Sequence, residues 1–475
     1  MTQQGFVGRE RELAMLQQRL GAVGSARGDN GKAVLLRGRR RVGKSRLITE
    51  FIKRSGVPSL YFQASRYADQ QDQLRALMEA LATSDLPGAP LGESAAPTTL
   101  TAAFRLIAAA LPDSPAIVVI DEAPWLLEEI KGGAGELQRV WDKDLSQNPV
   151  LLLLLGSDLT MMQELNNPDQ PFYGRGREML LKELNPAEIA TWTGLSGIRA
   201  FDAYLLTGGQ PLIAEDWQLL MTPNEFIKKS LSSPVSALAT EGVRVLDSEF
   251  PASLNARDVL TAIGGRGERT YTGILTSLSG RMTAPTLEKS LALLADKGVI
   301  AADEPLSTRR SSRDKRWRVS DPALRFWLAF MEPSLGDIDR GRADLAIARF
   351  NKGYQAWRGR AIEPVIREAL NRLLPDDDWL NIREVGGWWP RTNIPEIDIV
   401  GADGRPAHNI SFVGTIKWRE RAAITDHDVA ALAKAAVSVP GVTPLTPLVG
   451  ISAHKSTAKG LTQSWSADDL LAAWG

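Results

Sequence analysis

Gly38-Arg39-Arg40-Arg41-Val42-Gly43-Lys44-Ser45 is the stretch whose residue types and spacing most directly imply chemistry. It follows the apolar run Ala33-Val34-Leu35-Leu36 and leads into Arg46-Leu47-Ile48-Thr49-Glu50-Phe51, where a buried strand should turn into a helix. In such a strand, loop and helix arrangement, successive backbone N–H groups point into a concavity at the positive end of the helix, and a polyphosphate can sit there. Gly38 and Gly43 allow the backbone geometry, Lys44 can reach the β- and γ-phosphates, and the Ser45 hydroxyl can ligate a bridging Mg²⁺. Ala116-Ile117-Val118-Val119-Ile120-Asp121-Glu122 is an apolar strand ending in two carboxylates, and in an open parallel sheet ligands gather at the carboxyl ends of strands. Asp121 is suited to holding Mg²⁺ through water and Glu122 to polarising a water that attacks the γ-phosphate.

The elements that must position these groups read as an α/β domain. Candidate strands lie at 59–62, 116–121 and 150–155, separated by helices over 45–53, 69–82 and 100–111, with residues 83–97 expected as a mobile loop rich in Pro, Gly, Ala and Ser. Leu181 to Leu184 reads as a short strand, and Asn185 caps a helix with Pro186 at its first position. A length of 475 residues exceeds one core. Lys+Arg and Asp+Glu are both 56, so no global field draws the chain to nucleic acid or membrane, and such binding would need local patches. Cysteine is absent, which excludes disulfides and thiolate metal sites. The polar N-terminus lacks a signal-peptide layout, and the longest apolar run, Val150 to Leu155, is too short to span a bilayer, so the expectation is a soluble cytoplasmic protein.

Phe6-Val7-Gly8-Arg9-Glu10 followed by GxxxxGKS resembles the start of AAA+ ATPases, particularly the STAND-like branch of bacterial and archaeal ATP-binding proteins. The resemblance implies ATP and Mg²⁺ as ligands, with Phe6, Val7 and Gly8 around the adenine and Gly38 to Arg46 around the phosphates. It places Ser157, after the strand 150–155, at the sensor position that helps place the lytic water, although Asp158 capping the next helix explains this turn equally well. Pro171-Phe172-Tyr173-Gly174-Arg175 resembles the segment carrying an arginine that neutralises charge on the γ-phosphoryl, from the same subunit or a neighbour. Gly208-Gly209-Gln210-Pro211 resembles a turn that approaches the nucleotide from a helical lid, which would bring Gly209 and Pro211 to it; a plain helix-breaking turn fits the same residues.

Downstream, short helices at 256–263 and 271–277, a longer one from Thr283, and strands at 299–302 and 316–319 describe a winged helix-turn-helix. Its inter-strand loop holds Arg309, Arg310, Arg313 and Lys315, suited to phosphate contacts, whereas the presumed recognition helix offers Thr286, Glu288, Lys289 and Ser290, which favours interaction over base reading. Val319-Ser320-Asp321-Pro322-Ala323-Leu324-Arg325-Phe326-Trp327 resembles the linking segment of the same ATPases. The last region resembles a restriction-endonuclease-like domain, with a helix opening at Gly359 and Glu363, Asp398 and Lys417 as the matched site residues. Thr415 stands where that site needs a second carboxylate, so the nuclease site is expected to be vestigial, with Glu396 as the one carboxylate that could substitute. Paired Trp388 and Trp389 are expected in the core. The expected organisation is an ATPase core over 1–182, a helical lid over 183–240, a winged-helix domain over 241–335 and a restriction-endonuclease-like domain over 336–475, acting as a nucleotide-driven switch or small motor. DNA or a protein is the expected macromolecular partner, and an oligomer is compatible with this plan. The rival readings are an ATP-regulated DNA nuclease and a DNA-binding regulator.

Overall fold

The computed structural model describes residues 5–24, 31–130, 132–249, 255–309 and 314–475. Contacts divide the chain into two compact units, Met1–Glu183 and Leu184–Gly475.

The first unit is built on a five-stranded parallel sheet in the order β2-β3-β4-β1-β5. In chain order its elements are α1 (Glu10–Gly21), β1 (Lys32–Arg37), α2 (Lys44–Ser55), β2 (Ser59–Gln63), α3 (Gln70–Ala82), α4 (Leu100–Ala110), β3 (Ala116–Asp121), α5 (Ala123–Glu128), α6 (Gly133–Val140), β4 (Val150–Gly156), α7 (Leu159–Glu164) and β5 (Gly176–Leu180). Every residue of β3 and β4 is buried, because helices cover both faces of the sheet. Alternation sends Leu151, Leu153 and Leu155 into one core with Leu16, Leu47 and Phe51, and Leu152 and Leu154 into the other with Leu77 and Phe104.

Two expectations for this unit are corrected. Residues 83–97 are not a loose loop: Leu86 and Ala89 are buried, and a short 3₁₀ turn spans Ala89–Gly92. Small residues serve packing there, since a Cβ on Gly88 would come within 2.3 Å of the Ala110 Cα. The fifth strand is Gly176–Leu180 rather than 181–184; it lies at the sheet edge, where Arg177, Glu178 and Leu180 are exposed.

The second unit opens with α8 (Pro186–Thr193), α9 (Gly197–Thr207), α10 (Pro211–Glu215), α11 (Pro223–Leu231) and α12 (Ala237–Glu249). Asn185 and Glu188 form a reciprocal capping box at the start of α8. Next come α13 (Ala256–Ile263), β6 (Arg269–Thr270), α14 (Tyr271–Ser277), α15 (Ala284–Asp296), β7 (Ile300–Asp303) and β8 (Arg316–Val319). The strands pair antiparallel in the order β6-β8-β7, adding a third strand to the expected wing. Then follow α16 (Pro322–Phe326), α17 (Leu335–Asp339) and α18 (Ala343–Leu373), a 31-residue helix that starts 16 positions before the expected Gly359. Helices α12 and α17 run across the boundaries expected at 240 and 335.

The remaining elements are β9 (Glu384–Trp388), β10 (Ile397–Ala402), β11 (Ile410–Lys417), α19 (Asp426–Ala436), β12 (Leu448–Ser452), β13 (Gln463–Trp465) and α20 (Ala467–Leu471). Strands β9, β10 and β11 form an antiparallel meander, while β12 and β13 continue the sheet in parallel beyond β11. Trp388 and Trp389 are both buried. The wing is anchored to this sheet. After β7, the Leu306 N–H donates to Gly387 O (2.8 Å), the Ala407 N–H donates to Ser307 O (3.1 Å), and Leu306 is fully buried beside Trp388, Ile397 and Val413.

Candidate functional site

The register of the first sheet assembles the site. Strands β1, β3 and β4 are parallel neighbours, so the loop after Arg37, the Asp121-Glu122 pair and Ser157 emerge at one end of the sheet. Gly38 packs so closely that a Cβ would lie 2.5 Å from the Leu181 carbonyl oxygen. Arg41 and Gly43 take left-handed backbone angles, φ 67° and 93°, which turn the loop onto the first residue of α2. Lys44 is buried and folds back over its own loop, donating to Gly38 O (2.8 Å) and Arg39 O (3.1 Å). Arg39 faces Glu183 (3.5 Å), while Arg40, Arg41 and Arg46 are exposed around the loop and Val42 is buried beneath it.

The Ser45 hydroxyl donates to Asp121 Oδ2 (2.7 Å), and the Glu122 N–H donates to Asp121 Oδ1 (3.0 Å). A hydroxyl and a carboxylate at this spacing are the oxygen donors that a hard divalent cation takes. Glu122 sits at φ 53° and ψ 43°, an uncommon conformation for a non-glycine residue and one concentrated at functional sites. Its Oε2 accepts the backbone N–H of Ser157 (3.1 Å), which ties the ends of β3 and β4 together. Ser157 thus meets Glu122 through its main chain, and Asp158 caps α7 by accepting the Met161 N–H (3.1 Å).

Two residues escaped the sequence reading. The Tyr61 hydroxyl donates to Asp121 Oδ2 (2.5 Å) from the edge strand β2, and burial together with that carboxylate pushes the phenol pKa well above its ordinary value. A single tyrosine among apolar neighbours carries no local signal of this contact. Arg9, buried and left-handed at φ 66°, donates to the Val42 carbonyl (3.0 Å), so the N-terminal segment is fastened to the phosphate loop. The Phe6-Val7-Gly8-Arg9-Glu10 motif did point at this neighbourhood. Phe6 packs on the core beside α2 with the Arg54 guanidinium 5.7 Å from its ring centroid, and Gly8 turns the chain at φ 76°.

The same-subunit role expected for Arg175 is corrected. Gly176 pairs with Ala33 at the amino end of β1, so Arg175 lies at the opposite end of the sheet from the phosphate loop. Its guanidinium grips Asp142 in a bidentate pair (2.7 and 2.8 Å) and also donates to Pro171 O. An arginine so placed cannot reach a phosphate held by its own loop. Gly209 and Pro211 belong to the second unit. There a Cβ on Gly209 would lie 2.0 Å from Leu184 O, and Gln210 donates to Asp321 (3.3 Å), so the turn is locked to the Ser320-Asp321-Pro322 segment.

The carboxylates of the last sheet do not converge on a metal position. Among the described residues no group of three or more His, Cys, Asp or Glu is arranged to hold a metal ion. Asp398 Oδ2 accepts from the Thr415 hydroxyl (2.9 Å) and the Ile416 N–H (2.8 Å). Buried Arg367 donates to Glu363 Oε2 (3.2 Å) and to the Asp398 main-chain carbonyl (3.0 Å), so a guanidinium stands beside the Glu363 carboxyl where a metal would be needed. Burial raises the Glu363 carboxyl to about 8, against the pull of Arg367. Glu396 is not a substitute ligand. Burial alone would raise its pKa, but Arg316 (2.7 Å) and Arg360 (3.2 Å) hold it below its ordinary value. Lys417, half-buried at the end of β11, therefore faces no metal cluster. The wing is also less free than expected. Lys315 pairs with Glu304 (2.7 Å), Arg316 lies over the Trp389 ring (4.2 Å), and Arg310 and Arg313 fall outside the described residues.

The segment that holds this site also matches a known family. Residues 5–130 match the AAA ATPase domain family. That match takes in the phosphate loop and the Asp121-Glu122 pair. Residues 327–429 match a family described as archaeal and bacterial proteins of unknown function. An uncharacterized protein of Methanocaldococcus jannaschii is 25% identical over 439 residues, covering 89% of each chain. Among solved structures, a Walker-type ATPase of Pyrococcus abyssi is 19% identical and covers 69% of this chain and 97% of its own, with a TM-score of 0.49. The ORC2 protein of Aeropyrum pernix, solved as ADPNP and ADP complexes, is 15% identical and covers 73% and 96%, with a TM-score of 0.42. No described helix is long and apolar enough to cross a membrane.

Proposed function

We propose that the protein binds and hydrolyses ATP with Mg²⁺ and uses the nucleotide state as a switch or small motor on a macromolecular partner. The observation that carries this reading is the convergence of Lys44, Ser45, Asp121 and Glu122 at the carboxyl ends of β1 and β3, two parallel strands flanking β4, within a segment matching an AAA ATPase domain. The loop N–H groups and Lys44 would hold the phosphates, with Lys44 exchanging its carbonyl partners for phosphate oxygens. Ser45 and Asp121 would hold Mg²⁺, which neutralises phosphate charge when bound. Glu122, steadied by the Ser157 N–H, would orient the attacking water. Phe6, Val7 and Gly8 are the proposed adenine neighbours. In this reading Arg175 acts only on a neighbouring copy's nucleotide, after release from Asp142.

The second unit is proposed to serve recognition or assembly through its winged-helix region and its restriction-endonuclease-like sheet. Arg367 between Glu363 and Asp398 speaks against metal-dependent cutting, and the exposed face of α15 mixes Glu288 and Asp296 with Lys289. The test is nucleotide affinity and turnover of the full chain with Mg²⁺, with and without DNA. Lys44→Ala should lose at least tenfold in affinity, while no binding by the unaltered protein would refute the proposal.

A further inference from the structure

We propose that Tyr61 positions Asp121 for the divalent cation, a role that rests on the ATPase reading above. Strand β2 pairs with β3 in the register Tyr61↔Val119 and Gln63↔Asp121, so Tyr61 and Asp121 lie on the same face of the sheet, two residues apart along the strands. That offset is about 7 Å, a span that an extended tyrosine covers and a shorter hydroxyl side chain does not. The ring packs against the core beneath α2, which fixes its direction, and the hydroxyl ends 2.5 Å from Asp121 Oδ2.

Oδ2 therefore receives two hydroxyl donors, Tyr61 and Ser45. Ser45 is the one with a second duty, because its oxygen is needed by the cation. When Ser45 turns away, a carboxylate that is 2% exposed would keep no side-chain donor on Oδ2 unless Tyr61 stays. Tyr61 thus releases Ser45 from Asp121 at little cost and preserves the orientation of the carboxylate. A phenylalanine would fill the same space without that donor, leaving Asp121 to compete with the cation for the Ser45 hydroxyl.

The experiment titrates Mg²⁺ into the full chain with a fluorescent ATP analogue and reads binding, with EDTA as the metal-free reference. Tyr61→Phe should raise the half-saturating Mg²⁺ about three- to tenfold while leaving affinity in EDTA unchanged, and Tyr67→Phe, altered at an exposed tyrosine, should match the unaltered protein. Added to Asp121→Asn, Tyr61→Phe should give no further shift, because its effect runs through that carboxylate. An unchanged or lowered Mg²⁺ requirement in Tyr61→Phe, a full further shift in the double variant, or equal loss of affinity in EDTA would each overturn the role of Tyr61 and leave the ATPase reading standing. Absence of nucleotide binding by the unaltered protein would instead overturn the ATPase reading and this role with it.

Discussion

Glu122→Gln separates holding the nucleotide from hydrolysing it. The substitution keeps side-chain length, and the glutamine carbonyl can still accept the Ser157 N–H that now donates to Oε2 at 3.1 Å. The backbone at φ 53° strains Gln as it strains Glu, so the difference in folding stability should stay within about 0.5 kcal/mol. What disappears is the basic oxygen that polarises water, a contribution typically of about 10²- to 10⁴-fold. That corresponds to about 3 to 5 kcal/mol in the activation barrier. Ser45, Asp121 and Lys44 are untouched, so affinity for ATP with Mg²⁺ should remain within about threefold, a change of less than 1 kcal/mol. Single-turnover hydrolysis and equilibrium binding on the same preparation measure both quantities. A kcat within a few-fold of the unaltered protein would refute the assignment of Glu122, and parallel losses of binding and turnover would show that its role is to tie the ends of β3 and β4 together.

Gly38→Ala should weaken ATP binding by at least about tenfold, roughly 1.4 kcal/mol, because the new Cβ would meet the Leu181 carbonyl at 2.5 Å and the loop must move; an unchanged Kd by calorimetry would count against that constraint. Leu306→Ala should destabilise the second unit by about 2 to 5 kcal/mol, since the side chain is wholly buried in the last sheet's core; denaturant unfolding followed by tryptophan fluorescence checks it. Burial holds Glu363 at about 8, above its ordinary 4.5. The folded state therefore keeps a proton that the unfolded chain has released, and this contribution to stability is full below about 4.5 and fades as pH rises through 8. Glu363→Gln should flatten the fall in thermal midpoint between pH 5 and pH 8, and an identical slope would exclude Glu363 as its source.

The parts of the site legible in the sequence were those whose neighbours are local. A buried strand running into Gly43-Lys44-Ser45, and another ending in Asp121-Glu122, state both position and chemistry, because parallel strands deliver their ends to one edge. Asn185, Pro186 and Glu188 likewise announce a helix start within a few residues. Arg175 misled because Phe172-Tyr173-Gly174-Arg175 resembles a segment that carries a phosphate-facing arginine, whereas Gly176 begins an edge strand whose register with Ala33 is a long-range fact. The start of α18 was hidden for a related reason. Gly353 and Gly359 weaken its helical signal, but packing settles the matter, and a Cβ on Gly353 would already stand 3.1 Å from Phe330. Tyr61 and Arg9 were invisible as partners because each contact crosses between elements far apart in the chain.

The fate of the acidic cluster in the last sheet follows from the same physics of compensation. Glu363, Asp398 and Glu396 are partly or wholly buried, and carboxyl groups removed from water need a proton, cations or donors close by. A divalent metal would supply that charge and leave room for substrate. Here Arg367 comes from α18, one turn beyond Glu363, and Arg316 comes from β8 of the wing. Guanidinium suits this exchange, since its planar fork stays charged and can bond two oxygens in fixed directions. Arg316 spends that fork on Glu396 and Asn393 while stacking on Trp389, so carboxylates unavailable to a metal become the means by which the wing is held. The same contacts that argue against cutting therefore fasten the wing to the last sheet.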